Sequence, residues 1–230
     1  LRGSDRIDTW APSTLPEPAA DLVARLEVLY AGDSALRDAL TRAKGLRDGG
    51  AMSNDGAVQG RQVALTLARK AGEMLAAAQG PRIAVLEMGG WDTHANQMNA
   101  NGALANNLRT LDAALAALRE SLGGAWKHSV VLVATEFGRE VAANGTMGSD
   151  HGSGGAAFVL GGAVAGGRVI TDWPGLSKSQ RFEGRDLRAT TDLRAVMKGV
   201  LADHLKLPTA AIENTVLPGS SSVKKLSLLT

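Results

Sequence analysis

Histidine is scarce in this 230-residue chain: only His94, His128, His151 and His204 carry imidazole. Two of the four stand beside carboxylates. One run reads Gly89-Gly90-Trp91-Asp92-Thr93-His94, and a second reads Gly148-Ser149-Asp150-His151-Gly152. Between them lies Thr135-Glu136-Phe137-Gly138-Arg139. Carboxylate oxygen with neutral imidazole suits Zn²⁺, Mn²⁺ or iron, and oxygen-only subsets suit Mg²⁺ or Ca²⁺. Asp92 and His94 are two apart on a loop, so both can turn toward one ion. Flanking glycines let the backbone approach closely. Asp150 and His151 are adjacent and point apart. They can serve two neighbouring ions, or one can be a ligand and the other can orient a ligand. Plainer alternatives stand beside each reading. Asp150-His151 can simply shape a turn. Glu136 can be an exposed charge at a strand end, and Arg139 a solvated surface residue.

The remaining candidates point away from other chemistries. There are no cysteines, which excludes disulfides, thiolate metal sites and cysteine nucleophiles. His128 precedes a strand on the opposite edge and reads as structural or exposed. His204 falls at a helix end, where a cation favours the dipole. The glycine runs at 152–155 and 161–167 open no clear helix, and no Gly-Lys-Ser/Thr follows, so a nucleotide loop has little support. The second run suits a tight hairpin. No Gly-X-Ser-X-Gly elbow occurs. Basic residues number 25 against 23 acidic ones and are scattered, and aromatics make up 3% of the chain. Nucleic acid is therefore not an expected partner. No apolar run reaches the ~18 residues of a membrane span.

These residues need elements to hold them. Residues 8–18 carry three prolines and read as extended. Asp21–Tyr30 reads as a short helix with Leu22, Leu26 and Leu29 on one face. Asp33 or Ser34 can cap a second helix to about Leu46. A longer helix spans about 57–79, with Val63, Leu67, Ala71, Met74, Leu75 and Ala78 as its buried stripe. Gly102–Leu122 is helical, with Leu104, Leu108, Leu111, Leu115, Leu118 and Leu122 facing a core. Thr191 or Asp192 caps a last helix to about Leu205. Residues 82–88, 129–135, 156–160 and 168–170 read as strands. The first two should be parallel neighbours in a right-handed crossover. In such sheets ligands bind beyond the carboxyl ends of strands, and the three motifs fall there. The Ser/Lys-rich segment 219–230 is expected to be a flexible or peripheral tail, and residues 1–218 a single α/β domain.

The three motifs, with Asn144-Gly145-Thr146 leading into Ser149-Asp150-His151-Gly152, resemble the bacterial domain-of-unknown-function 1501 family. Trp10-Ala11-Pro12 and the last helix, Asp192-Leu193-Arg194-Ala195-Val196 through His204-Leu205, add to the likeness, which covers nearly the whole chain. The resemblance implies a relative of alkaline phosphatases and sulfatases, a three-layer α/β/α sandwich on a mostly parallel sheet. It implies Asp92, His94 and His151 as metal ligands and Glu136 as a carboxylate for a second ion. Asp150 would be a ligand or orient one, and Arg139 would hold an anionic substrate. The implied cofactor is a divalent metal, Zn or Mn ahead of Mg or Ca. The implied chemistry is two-metal hydrolysis of phosphate or sulfate esters. The rival expectation is a non-catalytic metal-, anion- or carbohydrate-binding module on the same scaffold. A purely structural fragment without metal is the third. The resemblance further implies a longer protein, exported to the periplasm or beyond. This chain would be its C-terminal portion, lacking N-terminal strands, with no nucleophile identified. A homo-oligomer or the missing N-terminal segment would cover the exposed sheet edges.

Overall fold

The computed structural model describes Trp10 and residues 19–46 and 56–230. Apart from Trp10, the expected extended segment at 8–18 lies outside the described residues. Helix α1 (Ala20–Tyr30) and helix α2 (Ser34–Leu46) form a hairpin. Asp33 makes the turn. Its Oδ1 accepts from the backbone N–H of Ala35 at 2.9 Å and of Leu36 at 3.1 Å, which satisfies two orphan donors of α2. The apolar face expected on α1 is open to solvent at Leu22 and Leu29.

The core sits between α3 (Gly56–Ala76) and α4 (Ala103–Leu122). It is built from small residues. Ala64, Ala68 and Ala71 meet Ala114, Ala117, Leu118 and Leu122. Gly72 sets the separation: a methyl group there would lie 2.6 Å from Ser121 Cβ and 3.0 Å from Leu118 O. This differs from the leucine stripe expected of α4. Leu118 and Leu122 are buried, Leu104, Leu111 and Leu115 only partly, and Leu108 is exposed. The reason is steric. A row of alanine and glycine on α3 admits a close helix, and the alanine face of α4 fits it better than six leucines in line.

A 3-10 turn (Gly123–His128) leads from α4 into β1 (Val131–Val133). Then come β2 (Gly138–Arg139), β3 (His151–Gly152) and β4 (Phe158–Leu160). Both ladders are antiparallel: β1 with β4, and β2 with β3. Among the described residues no two strands pair in parallel. The strand expected at 82–88 is not formed. Ile83, Val85 and Leu86 are exposed, and only Met88 packs against the α3–α4 core. Residues 168–170 likewise have no ladder partner. An apolar run becomes a strand only where a neighbour supplies hydrogen bonds, and β1 pairs with β4 instead.

Helix α5 (Leu193–Asp203) is capped by Asp192, whose Oδ1 accepts from Arg194 N at 2.8 Å. A short α6 (Thr209–Ala211) continues into a π turn (Ile212–Val216). Residues 219–230 are not a loose tail. Ser220 and Leu228 are buried, and Leu226 N donates to Ala195 O of α5 at 3.0 Å. The buried Lys198 of α5 holds them. Its ammonium donates to Ser220 O at 2.9 Å and Val223 O at 2.8 Å and pairs with Glu213. The composition hid this, because serine and lysine suit a mobile tail unless a buried donor collects its carbonyls.

Candidate metal centre

Three stretches interlock to build the site: 91–97, β2, and the loop 144–150 with β3. The first and third are stitched by backbone bonds from Asn96 N to Thr146 O at 3.0 Å and from Gln97 N to Met147 O at 2.9 Å. Gln97 Oε1 tightens the seam by accepting from Thr93 Oγ1 and Ser149 Oγ, each at 2.8 Å. Gly148 permits the crossing: a Cβ there would lie 2.1 Å from the carbonyl carbon of His94. The β2–β3 register puts Arg139 opposite His151. A slip of one residue would turn His151 to the other face. These stretches are irregular because their job is to converge side chains, and local hydrogen bonds replace long ladders.

The convergence is tight. Asp92 Oδ1 lies 3.0 Å from His94 Nε2 and 2.8 Å from His151 Nε2. The two Nε2 atoms are 3.1 Å apart. One carboxylate oxygen and two imidazole nitrogens thus form a small triangle. A cation bonded at about 2.1 Å needs donor separations of about 3.0 Å at right angles and about 3.4 Å in a tetrahedron, within a few tenths of an ångström of this triangle. The three donors fit such an ion. They also face solvent, with side chains 51%, 47% and 53% exposed for Asp92, His94 and His151.

Asp150 is placed behind His94. Its Oδ1 lies 2.8 Å from His94 Nδ1. A carboxylate beside Nδ1 holds the proton on that nitrogen and leaves Nε2 as a bare lone pair facing the triangle. The carboxylate of Asp150 thus stands behind the His94 ring and outside the triangle. Phe137 packs on the His151 ring with centroids 4.2 Å apart and fixes its tilt.

The electrostatics favour deprotonated carboxylates. Partial loss of solvent tends to raise the Asp92 carboxyl. The His151 hydrogen bond and the charges of His151, His94 and Arg139 outweigh it and hold it below its ordinary value. Hydrogen bonds from His94 and Asn144 hold the Asp150 carboxyl low as well.

The other expected residues lie differently. Glu136 is exposed and outside the triangle, with no hydrogen bond or ion pair of its own. Arg139 points inward. Its Nη1 donates to Ser149 O at 2.9 Å and its Nη2 to Trp91 O at 2.8 Å. The same Nη2 is 2.9 Å from Asp92 Oδ1. Arg139 is a clamp across the three stretches. His128 is exposed, as expected. His204 ends α5 by donating its backbone N–H to Val200 O. Burial, with the Arg82 and Lys206 charges, lowers its pKa below the ordinary histidine value. Sequence reasoning missed Gln97 and Phe137. Nothing in their local pattern marks them, because their partners lie 40 residues or more away for Gln97's Ser149 and on the far strand for Phe137's His151.

Residues 37–214 match the model of a family described as a protein of unknown function, DUF1501. No curated protein and no solved structure matches the chain. The matched span takes in most of the chain and every residue of the histidine cluster, and on that match the chain belongs to the DUF1501 family.

Proposed function

We propose that this chain is part of a metal-dependent hydrolase of anionic esters, phosphate or sulfate, related to alkaline phosphatases and sulfatases. A three-layer α/β/α scaffold and an extracytoplasmic setting belong to the same reading. One observation carries it: the triangle of Asp92 Oδ1, His94 Nε2 and His151 Nε2, with Asp150 Oδ1 2.8 Å from His94 Nδ1. Asp92, His94 and His151 would hold a divalent ion, Zn²⁺ or Mn²⁺ ahead of Mg²⁺ or Ca²⁺. When bound, such an ion lowers the pKa of water and offsets charge on the transferring group. The chain's own residues supply the rest. With both imidazoles in the neutral form that a metal requires, two carboxylates and one guanidinium sum to minus one, which attracts a divalent cation. The same count leaves the loaded site positive, which favours an anionic ester. Half-exposed side chains leave room for it to approach.

A second reading has its own support. The hydroxyls near the cluster are engaged elsewhere: Thr93 and Ser149 with Gln97, Thr146 with His94 O, Thr135 with Phe137 O, and Ser153 with Asp186. No side-chain nucleophile is presented to the triangle among the described residues. That favours attack by water, or a module that binds metal and anion without hydrolysis. The test is release of nitrophenol from aryl phosphate and aryl sulfate by metal-loaded protein. Turnover abolished by His94→Ala supports the hydrolase. Stoichiometric metal with no turnover on either ester supports the binding module.

A further inference from the structure

We infer that Asn144 is a positioning residue for the metal centre, acting on His94 through Asp150; the inference rests on the metal-binding reading above. The Asn144 amide is aimed from both ends. Its Nδ2 donates to His94 O at 2.8 Å and to Asp150 Oδ1 at 3.2 Å. Its Oδ1 accepts from Thr146 N at 3.1 Å and from Gly148 N at 2.9 Å. Two obligate acceptors on one side and two obligate donors on the other allow a single orientation of the amide. One side chain therefore grips the backbone of a ligand and the carboxylate that sets the same ligand's tautomer. Among the described residues, Asp150 Oδ1 has two side-chain partners, His94 Nδ1 and Asn144 Nδ2. Without the amide, the carboxylate is free to rotate away from His94. The ring then loses the bond that keeps its proton on Nδ1, and its Nε2 ceases to be a fixed donor to the triangle.

Asn144→Asp is the sharpest variant. It keeps an oxygen for Thr146 and Gly148, removes both donors, and sets a second carboxylate beside Asp150. Asn144→Ala removes the grip without adding charge and serves if the aspartate variant fails to fold. Gly72→Ala, in the α3–α4 seam, controls for simple loss of stability. Two quantities are read on each purified protein: Zn²⁺ affinity by calorimetric titration, and the His94 tautomer in metal-free protein by long-range ¹H–¹⁵N correlation. The inference expects Zn²⁺ binding about 10–100-fold weaker in the Asn144 variants, as for other residues that orient a ligand from behind. It also expects the His94 signal to move from the Nδ1–H form toward a mixture, with Gly72→Ala matching the parent in both. Unchanged affinity and tautomer in the Asn144 variants would overturn it. So would equal changes in Gly72→Ala. If the parent takes up no Zn²⁺, the metal reading fails, and the tautomer alone decides the role of Asn144.

Discussion

Asp92 Oδ1 meets His94, His151 and Arg139 within 3.0 Å, so a single oxygen joins the ligand set to the clamp that holds it. This arrangement separates two roles for Arg139. A residue that binds substrate would tolerate lysine at some cost in KM. A clamp that reaches Ser149 O, Trp91 O and Asp92 needs the planar fork. Arg139→Lys is expected to lower the thermal midpoint and to weaken metal binding, with a loss of roughly 1–3 kcal/mol for the unmade bonds. Calorimetry with and without metal checks both. Asp186 offers a pH test away from the ligands. It is buried, accepts from Ser153 Oγ at 2.9 Å and pairs with Arg185 at 2.7 Å. Burial tends to raise its carboxyl, but the Ser153 and Arg185 bonds and the Arg185 charge hold it below the ordinary value. A depressed native pKa stabilises fully above the unfolded value, near 3.8, and that contribution disappears as pH falls through the native value. The gap in thermal midpoint between parent and Asp186→Asn is thus expected to be widest near neutral pH and to close below about pH 4. At this scale much was legible. Asp92, His94, Asp150 and His151 stand out because carboxylate and imidazole share short loops. Residue type says nothing of placement, and Glu136 lies outside the triangle. Two partners of Arg139 are backbone carbonyls, which no side-chain pattern announces.

The helices were legible as elements because their signals are local. Asp33 and Asp192 cap α2 and α5 as their positions before apolar periodic runs suggested. What the periodicity could not show is which stripe a neighbour prefers. Leucines dominate the α4 pattern, yet the contact with α3 is made through alanines and through Gly72. That close approach makes a specific demand. In Gly72→Ala the new methyl would press on Ser121 Cβ and on the α4 backbone. Alanine gains about 1 kcal/mol in helix propensity, and overpacking costs about 1–3 kcal/mol. A net loss of up to about 2 kcal/mol is expected, read as a lower midpoint in urea. The strand readings fared unevenly for a related reason. Residues 131–133 and 158–160 pair with each other. Residues 82–88 have an equally apolar pattern but no ladder, since strand formation is a property of two segments.

Across the whole molecule, the described residues include an α3–α4 core and a C-terminal unit packed around α5. Lys198 organises the second. Its three donors are matched by Ser220 O, Val223 O and Glu213, which makes the 219–230 segment part of that unit. Lys198→Met would leave those acceptors without the ammonium. The expected loss is about 3 kcal/mol, with 219–230 becoming accessible to protease before global unfolding. Limited proteolysis followed by mass spectrometry of the fragments checks it, and an intact C-terminus in the variant would contradict the role given to Lys198. The family match spans both units and leaves the chemistry to the site.

Asp92, His94 and His151 are the ligands of the proposed divalent-metal centre. The most direct measurement is elemental mass spectrometry of the purified chain beside a His94→Ala, His151→Ala double variant, each after exposure to Zn²⁺ or Mn²⁺ and removal of the excess. The account predicts near-stoichiometric metal in the parent and almost none in the variant. A parent without metal, or a variant that retains it, would contradict the claim.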